Sequence, residues 1–177
     1  MRLGFRHGDR RYPFLWETAD QPAARWHGEG EGPAHDLSDT PDGAWAEFLR
    51  HEGITDPVDL PGIERRIWAV EVPDDVDRAE PVGMARRTAT GGLASYRACQ
   101  ARARALRGAG ATALRAPSAA LRAGRAGGQV VQDGLADAPD GDGEVWVLFG
   151  RRPDLRGWAA VDRGTPTERV LRAVRPL

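Results

Sequence analysis

A single α+β domain, with a mixed or mostly antiparallel sheet and flanking helices, is predicted for this chain by three observations. Five to seven segments carry strand patterns, two longer ones carry helix patterns, and the two kinds do not alternate as a doubly wound nucleotide fold requires. A length of 177 residues suits one core spanning 1–177.

Leu3 to Arg6 reads as a short strand that delivers Arg6 and His7 into the polar turn GDRR. The aromatic run Tyr12 to Trp16 packs in core or loop, and Glu17 to Ala24 is a connection. Arg25 and Trp26 precede a loop in which Gly28, Gly30 and Gly32 permit tight turns and bring backbone N–H groups close to a ligand. Ala34 to Ser38 is a short strand despite His35 and Asp36, which are poor strand formers. The helix that follows is the best signalled element. Thr40 caps it, Pro41 takes the first helical position and Asp42 faces the positive end of the dipole. Trp45, Phe48 and Leu49 form its apolar stripe and Gly53 ends it. Glu47 lies on the flank of that stripe, in line with Ala44, Arg50 and His51, where a carboxylate emerges at the edge of a cleft or in open solvent.

Asp56 to Gly62 is a connection with two prolines, and Arg65 to Pro73 alternates as a half-buried strand does. Asp74 to Thr90 has no clean period and is read mostly as loop. Leu93 to Arg107 is the second helix, ended by Gly108, with Tyr96, Cys99, Ala103 and Leu106 on its buried side. Thr112 to Ala116 is a strand running into Pro117 and Ser118. Leu121 to Asp142, rich in Gly, Ala and Asp, is expected to be an elaborated or mobile loop. Glu144 to Phe149 is a clear strand, and Trp158 to Val161 and Arg169 to Val174 are expected to be two more.

Composition narrows the chemistry. All 25 basic residues are arginine, which removes Schiff-base and Walker-type lysine chemistry. A formal net charge of −1 speaks against direct nucleic-acid binding, and the arginines of the second helix are best read as a solvated face. Cys99 is alone, so no disulfide framework or cysteine zinc site is expected, and His7, His27, His35 and His51 lack any ligand spacing. No metal and no prosthetic group is therefore expected. The N-terminus has no apolar leader and no stretch is long enough for a membrane span, so a cytoplasmic location is expected. Ser118 has no nucleophile elbow around it and is otherwise a turn serine.

Four residues remain that combine: Arg6, Arg25, Glu47 and Ser118. Guanidinium forks bind phosphate bidentately, and a carboxylate beside a sugar stabilises the cation formed when a glycosidic bond breaks.

Three segments, FRHGDRRYPF with AARWHGEGEG, then HDLSDTPDGAWAEFLRHE, then LRAPSAA, resemble the arginine, glutamate and serine segments of the RES-domain family. The resemblance runs over most of the chain, with Glu47 22 positions beyond Arg25. It implies a fold related to ADP-ribosyltransferases and an activity that degrades NAD by cleaving the nicotinamide–ribose bond. The acceptor would be inorganic phosphate (phosphorylase) or water (glycohydrolase). By the same resemblance Arg6 and Arg25 hold phosphate groups, Glu47 faces the nicotinamide ribose and Ser118 helps to place the ligand. His27 falls where the family loop has Asn, and Asp36 on or next to the place of a ligand-packing tyrosine; both are assigned to the binding site. The family toxins are restrained by a helix-turn-helix antitoxin, the partner expected here, and a homodimer is compatible with the sequence. Two alternatives follow. Asp36 speaks for a catalytically weakened module that binds a nucleotide or a protein, and the fold relationship allows an ADP-ribosyltransferase acting on a macromolecule.

Overall fold

The computed structural model describes residues 2–15, 17–18, 20–77, 79, 82–131, 135–137 and 140–177. Its centre is a six-stranded sheet built from β1 (Leu3–Gly8), β2 (Ala34–Ser38), β3 (Arg65–Glu71), β4 (Ala113–Pro117), β7 (Glu144–Phe149) and β8 (Gly157–Gly164). The spatial order is β4-β7-β2-β1-β3-β8 and every pairing is antiparallel. The predicted α+β class with a mostly antiparallel sheet is the one observed.

Pairing places Phe5, Ala69, Asp36, Val147 and Leu114 on one face, because opposed residues in a ladder share a side. Two separate groups of helices cover this face. Helix α1 (Pro41–His51) and α5 (Glu168–Ala173) pack over β1 and β3, in a core of Leu3, Phe5, Trp45, Phe48, Leu49, Ile67 and Val170. Helices α3 (Arg86–Ala89) and α4 (Tyr96–Gly108) pack over β7 and β4, with Ala89, Cys99, Ala103, Leu114 and Val147. The other face carries Leu37, Val70, Trp146 and Leu148. Between the two helical groups runs the strip along the seam of β1 and β2.

That strip is also where the sheet comes apart. β1 pairs with β3 along its whole length and β2 with β7 along its whole length, but β1 meets β2 only where Phe5 opposes Ser38. Beyond that position the two strands form no further pairs, and the charges of Arg6 and Asp36 lie close enough to interact.

Helix α1 forms as its signals require. The Thr40 hydroxyl accepts from Gly43 N–H at 3.1 Å. At the other end Gly53, at φ 66°, donates to the Arg50 carbonyl and Ile54 to the Leu49 carbonyl, the pair of bonds that closes a Schellman turn.

One expectation is corrected. Arg169 to Val174 is not a strand: Thr167 accepts from Val170 N–H, Glu168 occupies the first turn, and residues 168–173 close into a short helix. Within Asp74 to Thr90 the described residues hold two single-turn helices, α2 (Asp74–Asp77) and α3, too short to show a period. The connection Asp56 to Gly62 contains a 3-10 turn, Pro57–Gly62, capped by Asp56. Within 121–142, β5 (Gln129–Val131) and β6 (Leu135–Asp137) pair antiparallel; the remaining strand expectations hold within two residues, except that β8 runs three residues beyond Val161. Trp16, part of the aromatic run, lies outside the described residues.

Candidate active site

A cleft opens over the divergence of β1 and β2, and α1 lends it the residues of its flank. Glu47, Asp36, Arg6 and His7 each keep some accessible surface while protein surrounds them closely. Groups at the bottom of a concavity have this combination.

Glu47 sits one turn from core residues Phe48 and Leu49, so helix packing fixes its position. Its carboxylate accepts a hydrogen bond from the backbone N–H of Ala120. Burial first, and the facing Asp36 carboxyl second, push its pKa up to about 7, while Arg50 and Arg25 pull the other way. Burial likewise raises Asp36, opposed by the charges of His27, Arg6, His35 and Arg25. Asp36 is the β2 residue whose side turns to the cleft between the buried His35 and Leu37. The cleft thus holds two carboxyls that resist ionisation and are placed among cations.

Arg25 is buried and held from three directions. Its guanidinium donates to Ser95 Oγ at 2.9 Å and to the Gly91 carbonyl at 2.6 Å, and lies 4.7 Å over the Tyr96 ring. These partners all lie between the end of α3 and the first residue of α4, so Arg25 is fastened to that helical group. The segment before it is pinned by Gln100, which donates to the Ala24 carbonyl at 2.8 Å.

His27 is also buried, and its Nε2 lies 2.8 Å from the Pro22 carbonyl. That nitrogen donates to the carbonyl, and the buried Nδ1 has no hydrogen-bond partner. The glycine loop turns at Gly30 and Gly32, at φ 72° and 83°. Its Gly28 N–H, expected to face a ligand, instead donates to Glu31, whose carboxylate also meets Arg104 of α4 at 2.7 Å. The loop is thereby fastened to α4. Ser118 is fully buried; its hydroxyl accepts from Leu121 N–H at 3.2 Å, and its own N–H donates to the Gly143 carbonyl. It shapes the turn that aims Ala120 N–H at Glu47.

Arg6 and His7 line a recess of about 180 Å³ with Tyr12, Phe14 and Trp68. His7 also touches the Phe48 ring edge-on at 5.2 Å, and burial with the charges of Arg65 and Arg6 lowers its pKa to about 3, so it is neutral. Among the described residues no group of three or more His, Cys, Asp or Glu is placed to hold a metal ion.

The structure therefore brings Arg6, Arg25, Asp36 and Glu47 to one cleft, with His27 and Ser118 directly behind it. Sequence reasoning missed Arg50 as a site residue. It donates to the same Gly91 carbonyl as Arg25, at 3.1 Å, and the signal for it was its place one turn after Glu47 on the same helix flank.

The family model for the RES domain matches residues 2–170. The chain belongs to the RES-domain family. Among solved structures, a chain of the M. tuberculosis MbcT–MbcA toxin–antitoxin complex is similar in fold, with a TM-score of 0.61 at 15% identity, over 97% of this chain and 86% of that one. Among curated protein sequences none matches. No helix among the described residues is long and apolar enough to cross a membrane.

Proposed function

We propose that this RES-domain protein degrades NAD by breaking the bond between nicotinamide and ribose, as the toxin-type member of a pair restrained by a helix-turn-helix antitoxin. The observation that carries the reading is the Glu47 carboxyl, held by Ala120 N–H at the floor of a cleft walled by Arg6 and Arg25. In this reaction the C1–N bond of the nicotinamide riboside breaks with its electron pair going to nicotinamide, which leaves neutral. Positive charge develops on the ribose, and the Glu47 carboxylate stabilises it where little water competes. An oxygen of inorganic phosphate or of water then bonds to the ribose carbon, and a proton is released. Arg6 and Arg25 match the diphosphate in charge and fork geometry. The aromatic recess beside Arg6 has the size and walls for one planar ring.

The neighbour in a toxin–antitoxin complex supports the partner assignment, since a protein that blocks such a cleft would restrain the activity. The test is NAD consumption by the purified chain with and without inorganic phosphate, following nicotinamide and the ribose product. Phosphate-dependent loss identifies a phosphorylase and phosphate-independent loss a glycohydrolase; no loss by folded protein at high concentration rejects the reading. Glu47→Gln is expected to abolish turnover without unfolding the chain.

Asp36 favours a second reading, a weakened binding module, because a carboxyl in the cleft cannot stack on a ring and opposes a diphosphate once ionised. Asp36→Tyr is expected to raise NAD affinity by about tenfold, the worth of one good aromatic contact of about 1.4 kcal/mol; calorimetric titration that finds no change removes Asp36 from the site.

A further inference from the structure

Arg25 and Arg50 are 7% and 6% exposed, and their guanidiniums converge on one acceptor, the Gly91 carbonyl. Among the described residues neither has a carboxylate within salt-bridge distance. Arg25 has a hydroxyl and a ring face as its other partners, and the Nε of Arg50 is buried with no hydrogen-bond partner. A third guanidinium, that of Arg175, stands near Arg50 and is itself tied to the Leu121 carbonyl. The groups facing Arg50 are therefore Arg25 and Arg175 as cations, Tyr96, and Glu47 one helical turn away. Burying one unpaired cation is costly, and burying several that repel one another is more so. Such a cluster persists where an anion completes it.

We propose that Arg50, together with Arg25, forms a subsite for a phosphoryl oxyanion beside Glu47. Two converging forks with a spare N–H suit a tetrahedral dianion better than a single planar carboxylate. The inference deepens the NAD-degrading reading and rests on it for the identity of the substrate. The oxyanion has two sources there: the diphosphate of the dinucleotide, or free orthophosphate poised to attack the ribose carbon over Glu47.

Calorimetric titration of the full chain with inorganic phosphate, with ADP-ribose, and with phosphate after saturation by ADP-ribose tests it. Arg50→Met should weaken phosphate binding at least tenfold, and Arg50→Lys, which keeps the charge and loses the fork, should restore part of it. Phosphate that still binds to the ADP-ribose complex identifies the acceptor subsite. Phosphate excluded by ADP-ribose, with ADP-ribose itself weakened in Arg50→Met, identifies the diphosphate subsite. Equal phosphate and ADP-ribose affinities in wild type and Arg50→Met, or no phosphate binding at millimolar concentration with ADP-ribose unaffected, overturn the proposal. Should Arg50→Met not fold, Arg50→Lys takes its place: equal affinities for both ligands in wild type and Arg50→Lys then overturn the proposal. Arg50-dependent phosphate binding by a chain that consumes no NAD would leave the subsite standing and reject the NAD reading.

Discussion

At the scale of single residues, Glu47 carries opposite demands of stability and chemistry. Its folded pKa of about 7 lies above the ordinary 4.5, so the folded chain keeps a proton that the unfolded chain has released between these values. Its contribution to stability is full below about pH 4.5 and is lost as pH rises through about 7. Glu47→Gln should therefore raise stability at pH 8 by up to about 3 kcal/mol, at about 1.4 kcal/mol per unit, and change nothing at pH 4. Urea melts of both proteins at the two values check this. The same proton governs activity, because only the carboxylate stabilises a developing cation: turnover should fall as pH drops through about 7. His7 works in the other direction. Its folded pKa of about 3 lies below the ordinary 6.5, so its stabilising contribution is present above pH 6.5 and lost as pH falls toward 3.

At the scale of elements, α1 is both core and catalytic mount. Its apolar stripe locks the helix against β1 and β3, and its flank presents Glu47 and Arg50 to the cleft. Asp42, at its first turn, pairs with Arg169 of α5 at 2.7 Å, which ties the two helices at one end. Thr40→Ala, which leaves Gly43 N–H without its cap, should cost about 1 kcal/mol. Phe48→Ala should cost about 3–5 kcal/mol as a core truncation and also loosen His7, whose ring it supports. Thermal melts read both, and the cap variant, far from the cleft floor, should lose stability with little change in NAD affinity.

At the scale of the whole molecule, the cleft exists because one seam of the sheet is left unpaired and two helical groups stop on either side of it. Gly4 allows the seam to close at its base, since a Cβ there would lie 2.9 Å from Leu37 Cβ. Gly4→Ala should force β1 and β2 apart, destabilise by about 1–3 kcal/mol as an overpacked core does, and weaken NAD binding through the displaced Arg6 and Asp36. Denaturant melts together with NAD titration distinguish a displaced seam from simple loss of stability.

Local signals determined α1, β3, β7 and α4, because caps, periodicity and Gly stops act within a few residues and are written in order along the chain. The three segments that resemble the RES-domain family carried Arg6, Arg25, Asp36, Glu47 and Ser118 as candidates. Short helices such as α5 escaped notice because six residues are too few to show a period. The part of Arg50 was decided only by tertiary structure: its neighbours Arg25, Gly91 and Arg175 are distant in sequence and are brought together where the last turn of α1 reaches the turn between α3 and α4. So was the depth of Glu47, whose raised pKa depends on burial and on a carboxyl from another strand. Sequence supplies the charges, but whether a charge meets water or other charges depends on which surfaces pack together.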